Sequence, residues 1–197
     1  MKKSLLFLFA GLLPLLASAQ TKVEIDGVWY NLISKNNAAE VTSGGNYSGS
    51  ITIPATITYD GVDYNVTSIG NGAFSSCSSL KSITLPESVT SIGSRAFEDC
   101  SSLAAINIPE NSKLTSIGMW AFYRCSSLTS INIPAGVTSI GNEAFSDCSS
   151  LTAITIPARV MSIGVRVFYG CSSLADMYCY AETLPSVGNG LFDSSNV

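Results

Sequence analysis

The 197-residue chain has no histidine and little charge: 12% of its residues are Asp, Glu, Lys or Arg. Without histidine it lacks the commonest general base and the commonest zinc ligand. No basic run occurs after the first few residues, and the formal charge is −4. That balance argues against a nucleic-acid footprint or an anionic membrane surface as the main partner. What the chain does have is apolar residues, 46% of the total, enough to fill a core and to set disorder aside.

The first twenty residues stand apart. Met1-Lys2-Lys3 is a basic start, Leu5 to Leu16 an apolar run, and Ala17-Ser18-Ala19 an A-x-A cleavage signal. The run is shorter than the roughly 20 residues that a membrane span needs. We therefore expect a signal peptide over 1–19, an exported product that is secreted or held at the cell surface, and no membrane span in the mature chain. Loss of Lys2 and Lys3 takes the formal charge from −4 to −6.

From Val66 the chain repeats itself. VTSIGNGAFSSCSSL returns as VTSIGSRAFEDCSSL from Val89, LTSIGMWAFYRCSSL from Leu114, VTSIGNEAFSDCSSL from Val137 and VMSIGVRVFYGCSSL from Val160. A decayed copy, LPSVGNGLFDSS, begins at Leu184. Phe74, Phe97, Phe122, Phe145 and Phe168 lie 23, 25, 23 and 23 residues apart. A fixed period of this size marks a solenoid, whose coils bury their apolar sides by stacking on one another.

One coil can be read residue by residue. Leu80, Ile83 and Leu85 make a short strand with apolar side chains inward, while Thr84, Asn107, Asn132, Thr155 and Tyr178 alternate outward. Pro86, Pro109, Pro134 and Pro157 end these strands. The corner glycines, Gly70 and its copies, need either a positive φ or a place with no room for a side chain. Ala73, Phe74 and Cys77 have the spacing of one short helical turn with its apolar face inward. Upstream, Asp26-Gly27 and Asp60-Gly61 signal hairpin turns, and Asn36 to Ser50 reads as a polar loop. The expected division is a β-rich N-terminal cap over 20–65 and a solenoid over 66–197, about five full coils and a partial sixth. The chain then stops partway through a coil, as a piece of a longer repeat protein would.

Leu-x-x-Ile-x-Ile-Pro followed by Ile-Gly-x-x-Ala-Phe-x-x-Cys-x-x-Leu resembles the BspA-like leucine-rich repeat family of secreted and surface-exposed bacterial proteins. The resemblance runs from Val66 to about Phe192, and the leading IDGVWYNLI is similar to the family's usual N-terminal piece. It implies a leucine-rich-repeat solenoid of right-handed coils, with short parallel β-strands and short helical turns behind an N-terminal β-hairpin segment. For some members it also implies adhesion to host matrix proteins or other bacteria, with no residue motif that carries over.

The six cysteines are expected to be buried, reduced thiols. Cys77, Cys100, Cys125, Cys148 and Cys171 form one column, and stacked positions lie about 4.8 Å apart, wider than the Cβ separation of about 3.8 Å in a disulfide. A row of single thiols does not make a zinc tetrahedron, and no base stands beside them. No metal or cofactor is implied. Repeated serines are turn residues, and the acids Glu98, Asp99, Glu143, Asp147 and Asp176 fall on outer positions. Leu184-Pro185-Ser186-Val187-Gly188 aligns with the repeat and is not a sorting signal.

Candidate contact residues come from variation between copies, after each corner glycine and after each phenylalanine. Trp120, Tyr123 and Tyr169 are large amphipathic groups at such positions. Arg124 shares a column with Asp99 and Asp147 and should lie between them. The strand face around Asn132, Asp176 and Tyr178 is the other candidate. The partner is expected to be a protein or a glycan, on a host matrix or another bacterial surface. A non-catalytic recognition or adhesion module, a spacer within a larger surface protein, and an enzyme or nutrient-processing protein with an unrecognised site all remain open from sequence.

Overall fold

The computed structural model describes residues 21–181 and 185–193, so the expected leader and Leu184 lie outside the described residues. Six strands come first: β1 (Thr21–Ile25), β2 (Val28–Ile33), β3 (Ala38–Val41), β4 (Ser48–Thr52), β5 (Thr56–Tyr59) and β6 (Val62–Ile69). Then come β7 (Ser79–Thr84), β8 (Ser91–Ile92), β9 (Ala105–Asn107), β10 (Ser116–Ile117), β11 (Ser139–Ile140), β12 (Ala153–Ile156), β13 (Ser162–Ile163), β14 (Asp176–Cys179) and β15 (Ser186–Val187).

Each coil of the solenoid has three sides. The Val-Thr-Ser-Ile side pairs in parallel through β6, β8, β10, β11, β13 and β15, with Ser68, Ser91, Ser116, Ser139, Ser162 and Ser186 in register. The decayed copy is thereby a coil of the same stack. The second side carries β4, β7 and β9 in one parallel sheet and β12 with β14 in another. Ile51-Thr52-Ile53-Pro54 takes a repeat strand's place, Ile51 opposite Ile83.

The third side corrects the expected helical turn: no helix occurs among the described residues. Ala73 N–H donates to Gly70 C=O, Ser75 to Gly72 and Cys77 to Phe74, a chain of tight turns. The amides between them donate to the next coil instead: Gly72 to Ser94, Phe74 to Ala96 and Ser76 to Glu98, at 2.7–2.9 Å. A helix would consume every amide internally. Here alternate amides are needed to stack the coils, and that requirement outweighs the helical spacing of Ala73, Phe74 and Cys77.

Phenylalanine fills the interior behind these turns. Phe74, Phe97, Phe122, Phe145 and Phe168 are fully buried, with successive ring centroids 5.1–5.8 Å apart and planes within 10° of parallel. Tyr47 closes the row at its first end, 4.7 Å from Phe74, its hydroxyl accepting Trp29 N–H and donating to Thr42 C=O. Tyr47, β3 and the start of β4 fall in the stretch read as polar loop. β3 forms because β2 and β6 flank it and satisfy its backbone on both sides. The two Asp-Gly hairpins are present, with φ of 50° and 77° at Asp26-Gly27 and 48° and 76° at Asp60-Gly61, as a two-residue type I′ turn requires.

The corner glycines answer to space. A Cβ on Gly141 would lie 2.5 Å from Met119 N, and one on Gly118 2.6 Å from Gly93 C. Neither has a positive φ.

Candidate functional site: the turn side and the strand side

The turn chain needs a left-handed residue twice per coil, and both fall at variable positions. After the corner glycine these are Arg95, Trp120, Glu143 and Arg166, with φ of 52–58°. After the phenylalanine they are Asp99, Arg124 and Asp147, with φ of 57–58°. That conformation costs a non-glycine residue about 1–2 kcal/mol. The hydrogen bond each such amide donates to the next coil offsets it, as Trp120 N–H does to Asn142 C=O at 2.9 Å. Variation here is therefore not free of structure. Asn71 and Asn142, also variable positions, accept Ser94 N–H and Val165 N–H with their side-chain oxygens, at 2.8 and 2.9 Å.

These positions assemble a mixed aromatic and charged row. The Arg95 guanidinium lies 4.1 Å over the Trp120 ring, Arg124 4.7 Å over Tyr123, and Arg166 5.8 Å over Tyr169. Arg124 sits between the flanking carboxylates as its column implied, 3.8 Å from Asp99 and 3.9 Å from Asp147. Arg95 also reaches Glu98 at 3.7 Å. Trp120 and Tyr123 are half-buried, and Tyr169 is exposed. Arg95 is not among the sequence candidates, although its shared column with Trp120 in adjacent coils is a usable signal.

Asn132, Tyr178 and Asp176 lie on the strand side. Asn132 and Tyr178 line one shallow depression of about 330 Å³, while Asp176 is exposed on β14 outside it. The sequence candidates thus fall into two groups on different sides of the coil.

The thiol column is inward. Cys77, Cys100, Cys125, Cys148 and Cys171 are buried and unbridged. Cys179 corrects the expectation of six buried thiols. It occupies the register position of Ile156 but is exposed, because it stands on the outermost described strand of its sheet. Burial pushes Cys100 and Cys171 up to about 12, and Cys125 and Cys148 well above the ordinary thiol value. Among the described residues no cluster of three or more Cys, Asp or Glu side chains could hold a metal ion, and no helix is long and apolar enough to cross a membrane.

The family model for the BspA-type leucine-rich repeat region matches residues 50–175 in six copies. The chain belongs to that family. Solved structures similar to this chain include a leucine-rich repeat protein from Bacteroides ovatus, 36% identical, over 87% of this chain and 44% of that one, with a TM-score of 0.76. The T. pallidum leucine-rich repeat protein is 28% identical over 88% of this chain and 89% of its own, with a TM-score of 0.71. A leucine-rich cell surface protein from Faecalibacterium prausnitzii is 28% identical, over 85% and 56%, with a TM-score of 0.53. This chain spans less than half the length of the B. ovatus protein. A search of curated protein sequences returned no match.

Proposed function

We propose that this protein is a non-catalytic recognition module, exported and displayed at the cell surface or secreted, which binds a protein partner through its turn side. The observation that carries the reading is the row Arg95, Trp120, Tyr123, Arg124. Two aromatic rings are each covered by a guanidinium, and the second guanidinium is held by two carboxylates. Tryptophan, tyrosine and arginine are the residues that dominate protein–protein contacts, and the alternating charges suit a protein surface better than an anionic polymer. The leader expected over 1–19 and the surface location of the F. prausnitzii relative support the placement. The lack of histidine, and serines that recur in every coil, support a role without catalysis.

The test is a binding assay of the mature chain against purified host matrix proteins and bacterial surface proteins, followed by a variant carrying Trp120→Ala, Tyr123→Ala and Arg124→Ala. The row is half-exposed and its ion pairs are worth only about 0–1 kcal/mol each, so the fold should survive. Loss of a hot spot should weaken binding about 30-fold or more. A folded variant that binds every identified partner unchanged would overturn the assignment of this side.

A further inference from the structure

The strand side is interrupted at one coil. β4, β7 and β9 form one sheet and β12 and β14 another, while Ser130–Ile133, the equivalent stretch of the coil between, is assigned to neither. The interruption follows the coil with two extra residues, where Pro109 to Leu114 replaces the shorter Pro86 to Val89. The other sides stay closed there: Ser116 pairs with Ser139, and Phe122 N–H donates to Ala144 C=O at 2.8 Å. The break in the ladder is thus confined to the strand side, a seam across which Thr152 N–H still donates to Thr129 C=O at 3.2 Å. Ile106, Ile108, Ile131 and Ile133 beside it are 5–7% exposed, against 0–1% for Ile83, Leu85, Ile154 and Ile156.

Two shallow depressions, of about 370 and 330 Å³, meet over this seam and share Asn132 and Thr155. Glu110, from the extra residues, bounds one end. Tyr178 and Tyr180 bound the other, 52% and 65% exposed and two residues apart, hence on one face. The lining holds one carboxylate and no cation.

We propose that the seam binds a neutral oligosaccharide laid across the coils from Glu110 to Tyr180. A pyranose ring offers an apolar face of C–H groups and a rim of hydroxyls that both donate and accept. Tyrosine rings match the first through their apolar bodies. Asn132, Thr155, Ser130 and Glu110 match the second, since together they supply donors and acceptors. Three coil steps of about 4.8 Å give a furrow about 14 Å long, suited to a short chain of sugars. An anionic ligand would meet Glu110 without a compensating cation. A peptide strand has no edge to join, because Ser130–Ile133 has a coil on either side and a gap of one coil spacing admits no extra strand.

The site is separate from the turn side, so the two readings fail independently. The probes are cellohexaose, maltohexaose, laminarihexaose, xylohexaose and mannohexaose, with an uncharged Ser/Thr-rich decapeptide as the competing class, titrated calorimetrically into the mature chain. At least one hexasaccharide should bind with a Kd below about 1 mM. Tyr178→Ala and Asn132→Ala should each weaken that binding at least about tenfold. Tyr178→Phe should retain it, and Trp120→Ala should leave it unchanged. All three side chains lie at least partly in solvent, and unchanged melting confirms the fold. Binding of none of the hexasaccharides, binding only of the decapeptide, or sugar binding indifferent to Tyr178→Ala and Asn132→Ala each overturns the proposal.

Discussion

The Sγ of Cys148 donates a hydrogen bond of 3.1 Å to the carbonyl oxygen of Phe122, one coil earlier. Cys100 reaches Phe74, Cys125 reaches Phe97 and Cys171 reaches Phe145 in the same way, at 3.0–3.1 Å. Each of these carbonyls also accepts the amide of the cysteine in its own coil, as Phe122 does from Cys125 at 3.1 Å. The thiol fills a small buried site and satisfies the second acceptor position, a combination open to few side chains.

Thiol titration of the mature native chain should therefore find one reactive group, Cys179, and six once the chain is denatured without reductant. A native mass short by the hydrogens of a disulfide would contradict the column of free thiols.

The same burial makes stability fall at alkaline pH. An unfolded thiol loses its proton near 9, whereas Cys100 and Cys171 in the fold hold theirs to about 12, and Cys125 and Cys148 are raised well above 9, all chiefly by desolvation. From about pH 9 to 12 the folded chain binds more protons than the unfolded one, so stability drops as pH rises. Each thiol contributes a slope of at most about 1.4 kcal/mol per pH unit. Burial raises Tyr30 to about 12, which adds to the upper part of the same window. Urea unfolding at pH 7, 8, 9 and 10 should show a plateau up to about 8 and then a steepening loss. A flat profile to pH 10 would mean that the thiols are not held protonated.

Phe122 tests the stack itself. It is fully buried between Phe97 and Phe145, both 5.2 Å away. Phe122→Ala should cost about 3–5 kcal/mol. Phe192, stacked 5.8 Å from Phe168 but only half-buried, should cost less. Chemical denaturation of the two variants decides it, and equal small costs would count against a core built as a phenylalanine row.

Much of this was legible because the chain states each rule several times. The phenylalanine row, the inward Leu-x-x-Ile strand and the place of Arg124 between Asp99 and Asp147 all follow from register alone. The turn conformation did not follow, since Ala73, Phe74 and Cys77 have the same spacing in a helix and in a chain of tight turns. What separates the two is the pairing of alternate amides with the next coil, a long-range fact that no single copy encodes. Tyr47 was missed for a similar reason: its stretch looks polar, and only the exposed end of the phenylalanine row gives it a place to pack. The two extra residues after Pro109 were visible, but the break in the strand ladder that follows them was not.

Gly141 and Glu143 separate the two constraints at the corner. Gly141 has no room, since a Cβ would lie 2.5 Å from Met119 N and 2.7 Å from Gly118 C. These are backbone atoms of the preceding coil and cannot turn aside, so Gly141→Ala should destabilise by about 1–3 kcal/mol, as overpacking does. Glu143 has room but a φ of 53°. Glu143→Gly removes a left-handed penalty of about 1–2 kcal/mol and adds a chain-entropy cost of about 0.5–1 kcal/mol. The net should run from neutral to stabilising by about 1.5 kcal/mol, against the destabilisation expected two residues earlier. Thermal and urea unfolding of both variants would read the signs directly. Destabilisation by Glu143→Gly comparable to that of Gly141→Ala would mean that the left-handed turn positions carry side-chain interactions larger than the backbone cost they relieve.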